Sequence, residues 1–205
     1  MDTWRLVAIE RARLVSALAE LTDADWQAAS LCQGWQAGDV LAHIVSTAEM
    51  TSGRFLGGMV RNGFRFNQMT AHDVRVYGAN GVRALLPRLV ESITSTKHPP
   101  GPVDTMLLET VVHGEDIVFP LKKAIDHSQE ALVGAAEFGR TAQPLVGCRK
   151  RIAGLRLTAT DVDWTTGDGP DVSGPLNVLL LAMCGRKPAM AALDGPGVAI
   201  LQQRG

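Results

Sequence analysis

The sequence predicts a mainly α fold, in which a four-helix bundle over residues 1–145 is followed by a small α+β segment over 146–205, packed on the bundle. Three features carry that reading. Apolar residues recur at helical spacing through the first part of the chain. Beyond Pro144 the period switches to two, with Leu155, Leu157 and Ala159 alternating with Arg156, Thr158 and Thr160. A largely apolar run of helix length, Leu176 to Met183, then follows. A chain of 205 residues can bury a sizeable core, so neither disulfides nor a structural metal is needed merely to fold it.

Val7, Leu14, Leu18 and Leu21 form one stripe while Arg5, Glu10, Arg13 and Glu20 take other faces, which predicts an amphipathic helix over 3–21. Thr22-Asp-Ala-Asp25 is turn chemistry, and Trp26 to Gly34 has no period and is expected to be a loop. Ala37, Leu41, Ile44 and Ala48 trace a second helix from Gln36 to about Phe55, with His43 beside its apolar stripe. Gly57, Gly58 and Gly63 interrupt the pattern. Leu85, Leu86, Leu89, Val90 and Ile93 support a third helix over 68–96, in which Pro87 predicts a kink or a new start near Leu86. After the break at His98-Pro-Pro-Gly-Pro, Asp104 is placed to cap a helix running to Ile117, and Pro120 stops it. Asp126-His-Ser-Gln129 resembles a capping box before a helix to Ala142.

In the tail, residues 152–173 read as a short hairpin turning at Gly167-Asp-Gly-Pro170. Pro175 opens the Leu176–Met183 helix and Gly185 can end it. Ala189 to Leu193 is a short helical piece and Val198 to Leu201 a final strand, giving a β-β-α-β segment.

A net charge of −1 with 20% charged residues offers no basic patch, so neither nucleic acid nor a membrane is expected as a partner. The N-terminus lacks a basic flank before an apolar core, and apolar residues nowhere run to about 18, so a soluble cytoplasmic protein is expected. The three cysteines, Cys32, Cys148 and Cys184, lack any CxxC spacing; each is expected to be a small buried hydrophobe rather than a thiolate zinc ligand.

The chemistry lies in Leu107-Leu-Glu109-Thr-Val-Val-His113-Gly-Glu115-Asp116-Ile117. On a helix, Glu109 and His113 project from one face a turn apart, as a metal-binding pair would. His43 from another helix is the candidate third ligand, and three protein ligands with one open position is the usual arrangement of catalytic zinc. The bland alternative is a surface glutamate beside a core histidine. His72, His98 and His127 lie in polar or proline-rich surroundings and read as surface residues.

Cys32-Gln-Gly-Trp35-Gln-Ala-Gly-Asp39-Val-Leu-Ala-His43 resembles the C-x-G-W-x-x-x-D-V-x-A-H stretch of the mycothiol-dependent maleylpyruvate isomerase family, a branch of the DinB-like helix bundles. Glu109-Thr-Val-Val-His113-Gly-Glu-Asp116-Ile resembles that family's second signature, in the same order and separation. More loosely, the tail's Leu181-Ala-Met-Cys-Gly185-Arg186 is similar to a helix-ending Gly-Arg in such proteins. The resemblance implies that His43, Glu109 and His113 bind a divalent metal, zinc, and that mycothiol is the thiol cosubstrate. It further implies addition of the thiolate to a conjugated cis double bond, rotation and elimination, or transfer of the thiol to a small electrophile. Asp39, Glu115 and Asp116 are candidates for orienting the imidazoles, with capping or solvation as the alternative. Arg186 could clamp a carboxylate or neutralise a helix C-terminus, and with Asp116 completes the candidate catalytic residues. The segment after the bundle reads as shorter than the sterol-carrier-like C-terminal domain of the isomerase, so its substrate is not carried over. A non-catalytic bundle that binds a ligand or protein, and a thiol-independent metal hydrolase, stay open as alternatives, as does the oligomeric state, a homodimer included.

Overall fold

The computed structural model describes residues 2–142 and 147–204. The expected boundary between 145 and 146 therefore lies outside the described residues. The chain forms two compact units, residues 1–126 and 127–205.

The N-terminal unit is built on a ring of four helices, α1 (Thr3–Leu18), α3 (Ala37–Ala48), α6 (Val82–Glu91) and α7 (Asp104–Val118), in which α1 packs on α7, α7 on α3, α3 on α6 and α6 on α1. Leu14, Leu18, Leu41, Val45, Leu89 and Ile117 meet in its core. Full burial of such a side chain is worth about 1.5–3 kcal/mol. Between the ring helices lie α2 (Asp23–Gln27), α4 (Ser52–Arg61) and α5 (Phe66–Gly78), of which α5 packs against α3.

Several element boundaries differ from those expected. The loop after α1 opens with the short α2, held by a capping box between Thr22 and Asp25. The helix expected over 36–55 ends at Ala48, and Thr51 caps a new one by accepting from the Arg54 N–H. The helix expected over 68–96 divides at Gly81 (φ +73°), so the new start is at Val82 and Pro87 lies inside α6. Val103 is the N-cap of α7; Asp104 is its first residue and accepts instead from the Thr3 hydroxyl of α1 at 2.7 Å.

In the C-terminal unit, α8 (Gln129–Gly139) is capped by Ser128, whose hydroxyl accepts from the Ala131 N–H. After α9 (Cys148–Ile152) come β1 (Arg156–Ala159), β2 (Thr165–Thr166) and β3 (Asp171–Gly174), in the order β2-β1-β3. An antiparallel hairpin is present as β1–β2, but it turns between Ala159 and Thr165 and not at Gly167–Pro170 as expected; that second turn leads to β3, which runs parallel to β1 and pairs Val172 with Leu157. Helix α10 (Leu176–Met183) is almost wholly buried, with α8 and a 3-10 turn over Lys187–Ala192 packed on it. Its first N–H groups need acceptors, and the Asp161 carboxylate takes the one from Leu176 at 2.9 Å. The expected final strand over 198–201 is instead helical, α11 (Val198–Arg204): Leu201 donates back to Gly197, and Arg204 bonds the Arg151 and Ala153 carbonyls.

Candidate metal centre

Helices α3 and α7 lie side by side, and each presents one polar face to the other. On α3, His43 and Thr47 stand a turn apart; on α7, Glu109 and His113 do the same, with Asp116 one residue short of the next turn. His43 Nε2 is 3.8 Å from Glu109 Oε1, and the two imidazoles meet edge to face with centroids 4.8 Å apart. The three ligands predicted from sequence are thus brought together. Their side chains are 15–17% exposed, sheltered but open to solvent at one edge.

His113 is fixed from behind. Its Nδ1 lies 2.8 Å from the Asp116 carboxylate, which is fully buried, and the Cys32 thiol donates to the same carboxylate oxygen at 3.0 Å. Cys32 comes from the loop before α3, which is tied to α7 through the Leu31 N–H and the Asp116 carbonyl at 3.1 Å. Trp35 of that loop leans its ring against His43 at 5.5 Å. Gly114, next to His113, is needed for close approach: a Cβ there would stand 2.8 Å from Ile125 and 3.2 Å from Leu14. With its Nδ1 engaged by Asp116, His113 has Nε2 as the nitrogen that a metal could take, and the carboxylate would make that nitrogen a better donor.

The electrostatics are those of a charged group held away from water. Burial pushes the Glu109 carboxyl above its usual range, against the opposing effects of His113, a hydrogen bond from Thr47, and Arg11. Arg11 is itself buried, its Nη1 donating to the Ser92 and Ser95 carbonyls. Burial alone would lower the value of His113, but its hydrogen bonds to Asp116 and Cys32 prevail and hold it at about 10.

Two groups that share His113 bear on where a cation would bind, and among the described residues only the first has all its ligand-type atoms close together. Cys32, His113 and Asp116 have ligand-type atoms within 4.8 Å of one another. Two of their three separations are those of hydrogen bonds, however, and the third, Cys32 Sγ to His113 Nδ1, is 3.8 Å. Metal–ligand bonds of about 2.0–2.3 Å put neighbouring ligand atoms of a tetrahedral site roughly 3.3–3.6 Å apart, wider than the 2.8 and 3.0 Å found around Asp116. The 3.8 Å between His43 and Glu109 is too long for a hydrogen bond and leaves room for an ion. Two imidazoles and a buried carboxylate that lacks full compensation fit a divalent cation such as zinc.

Of the other expected residues, Asp39 is a capping residue, accepting from the Gln36 N–H at 3.0 Å, and Glu115 is buried on α7. Arg186 belongs to the C-terminal unit, where its Nη1 donates to the Cys184 carbonyl at the end of α10. The sequence reading missed Thr47 and Arg11 and took Cys32 for a small hydrophobe. Thr47 had a signal, since it follows His43 by one helical turn; a buried arginine does not announce itself in sequence.

A helix bundle whose α3 and α7 bring two histidines and a carboxylate side by side is the class that this fold and these side chains define. Residues 7–98 match the family model for the mycothiol maleylpyruvate isomerase N-terminal domain. The match contains the Cys32–His43 signature and ends before Glu109. No curated protein matches the chain in sequence. Among solved structures, the chain is similar to the mycothiol-dependent maleylpyruvate isomerase, with a TM-score of 0.59 at 16% identity over 95% of this chain and 92% of that one. A histidine-to-alanine mutant of the mycothiol-dependent maleylpyruvate isomerase aligns over the same shares, with a TM-score of 0.62 at 14% identity. This coverage corrects the expectation of a shortened C-terminal part: the fold extends over nearly the full length of those chains.

Proposed function

We propose that the protein is a metal-dependent enzyme that activates mycothiol for attack on a small electrophile, as a cis–trans isomerase of the maleylpyruvate isomerase kind or a related S-transferase. The observation that carries this reading is the 3.8 Å gap between His43 and Glu109 beside a His113 ring oriented by Asp116. His43, Glu109 and His113 hold the metal, for which zinc suits the donor set. A bound divalent cation lowers the pKa of a thiol placed on it, so that the nucleophilic thiolate is available at neutral pH.

The chain's own residues set the stage for that chemistry. Asp116 holds the Nδ1 proton of His113 and leaves Nε2 as the ring nitrogen for the metal. Thr47 steadies the Glu109 carboxylate, and Arg11 supplies a distant positive charge behind it. In the isomerase reaction, a carbon–sulfur bond forms at one end of a conjugated cis double bond, leaving a single bond about which the chain rotates. Cleavage of the carbon–sulfur bond then restores the double bond as trans and returns the thiol unchanged. In the transferase reaction the new carbon–sulfur bond is kept.

The test is a turnover assay with zinc-reconstituted protein, mycothiol and either maleylpyruvate or a panel of electrophiles such as a bimane. The reading predicts thiol-dependent conversion that disappears in His113→Ala. Turnover without any thiol would instead mark a hydrolase using bound water. Metal binding with no thiol-dependent turnover across the panel would mark a binding bundle.

A further inference from the structure

The C-terminal unit contains a pair of sulfur atoms for which the proposed reaction has no use. Cys148, the first residue of α9, is fully buried, and Cys184, just after α10, is 8% exposed. Their Sγ atoms are 3.5 Å apart, so a shift of about 1.5 Å would bring them to disulfide bonding distance.

Cations surround the pair. The Arg151 guanidinium donates through Nη1 to the Met183 carbonyl and lies against both glycines that flank the cysteines. A Cβ on Gly147 would stand 3.6 Å from Nη2, and one on Gly185 3.0 Å from Cζ. Gly185 is in the left-handed region (φ +86°), so a larger residue there would be strained as well as crowded by this guanidinium. The Nε of Arg151 is buried with no hydrogen-bond partner among the described residues. Arg186 adds a second guanidinium, donating to the Cys184 carbonyl at 2.9 Å. Positive charge beside a thiol favours the thiolate. The Cys148 thiol is accordingly lowered, first by its hydrogen bond to Cys184, with burial opposing and Arg151 and Arg186 contributing.

We propose that Cys148 and Cys184 form a peroxide-reactive dithiol that closes to an intramolecular disulfide. Cys184 is the less buried of the two, and hydrogen peroxide is small enough to approach it. With its proton passed to Cys148 across the 3.5 Å contact, the Cys184 thiolate attacks one peroxide oxygen, the O–O bond breaks, hydroxide leaves and takes that proton from Cys148, and Cys184 becomes a sulfenic acid. The Cys148 thiolate then attacks the Cys184 sulfur, the S–S bond forms, and the second hydroxide leaves. The hydroxides take up the protons of the two thiols, so two thiols and one peroxide give one disulfide and two waters. Two electrons pass from sulfur to oxygen.

The full-length protein treated with near-stoichiometric hydrogen peroxide, alkylated and digested without reduction tests this by mass spectrometry. The expected result is a linked Cys148–Cys184 peptide, a fall of about 2 Da in mass, and loss of two of the three alkylatable thiols. Dithiothreitol should restore both. In Cys148→Ala the sulfenic acid on Cys184 should persist and be trapped by dimedone; the wild-type peptide map decides the matter even if that variant does not fold. Unlinked Cys148 and Cys184 peptides, whether still reduced or separately oxidised to sulfinic acids, would overturn the proposal. So would a disulfide from either residue to Cys32.

Discussion

The His113 ring has two groups beside it, and the contrast between them suggests where a metal binds. At the Nδ1 edge, Asp116 and Cys32 make a closed hydrogen-bonded set with separations of 2.8 and 3.0 Å. Also beside the ring stand His43, the two imidazoles meeting edge to face, and Glu109, 3.8 Å from His43, with a carboxyl that burial drives upward. One group already satisfies its own polar atoms and therefore acts as a support. The other carries a charge that the bundle compensates only in part, and a cation would complete it. Clusters of ligand-type residues are common in proteins; the separation between their atoms distinguishes a coordination site from a hydrogen-bond network.

Removing a residue from either group should have unequal consequences. The largest is expected for His43→Ala and His113→Ala, each of which should abolish stoichiometric zinc, measured by elemental analysis of the purified protein. Asp116→Asn keeps the shape but weakens the hold on Nδ1, and should reduce metal affinity by about 10–100-fold in a chelator competition. Proton release gives a third comparison. With His113 held at about 10, the metal-free ring is protonated at pH 8, and zinc binding to Nε2 must displace that proton. Zinc uptake in weak buffer at pH 8 should release at least one proton per metal, and affinity should climb roughly tenfold per pH unit toward 10. Because the folded-state value lies above the ordinary 6.5, the stability this group lends to the metal-free protein is full below about 6.5 and lost as the pH rises through 10. The smallest effect belongs to Cys32→Ala: metal content should be unchanged, with a stability loss of about 0.5–1.5 kcal/mol in denaturant unfolding from the missing hydrogen bond. Loss of zinc in this variant would move the metal to the Asp116 edge.

The helices that matter for the site were legible from sequence because their apolar periods are long: α1, α3 and α7 each carry several turns of consistent pattern. The pairing of Glu109 with His113 followed from spacing, and His43 from the order of the two signatures. Breaks inside long patterns were harder to read, because a single Thr51 cap or the turn at Gly81 divides a helix without disturbing the apolar period on either side. Val198 to Leu201 is too short a run for period to tell strand from helix, and only Leu201 of α11 is buried. Cys32 was misread because its burial is partial and its partner Asp116 is 84 residues away, a contact that only the docking of the loop on α7 creates.

X-ray absorption at the zinc edge, on protein reconstituted with zinc and free of added thiol, tests the account most directly. It predicts a first shell of nitrogen and oxygen alone at about 2.0–2.1 Å, as His43, Glu109 and His113 would supply. A sulfur scatterer at about 2.3 Å would place Cys32 on the metal and contradict it.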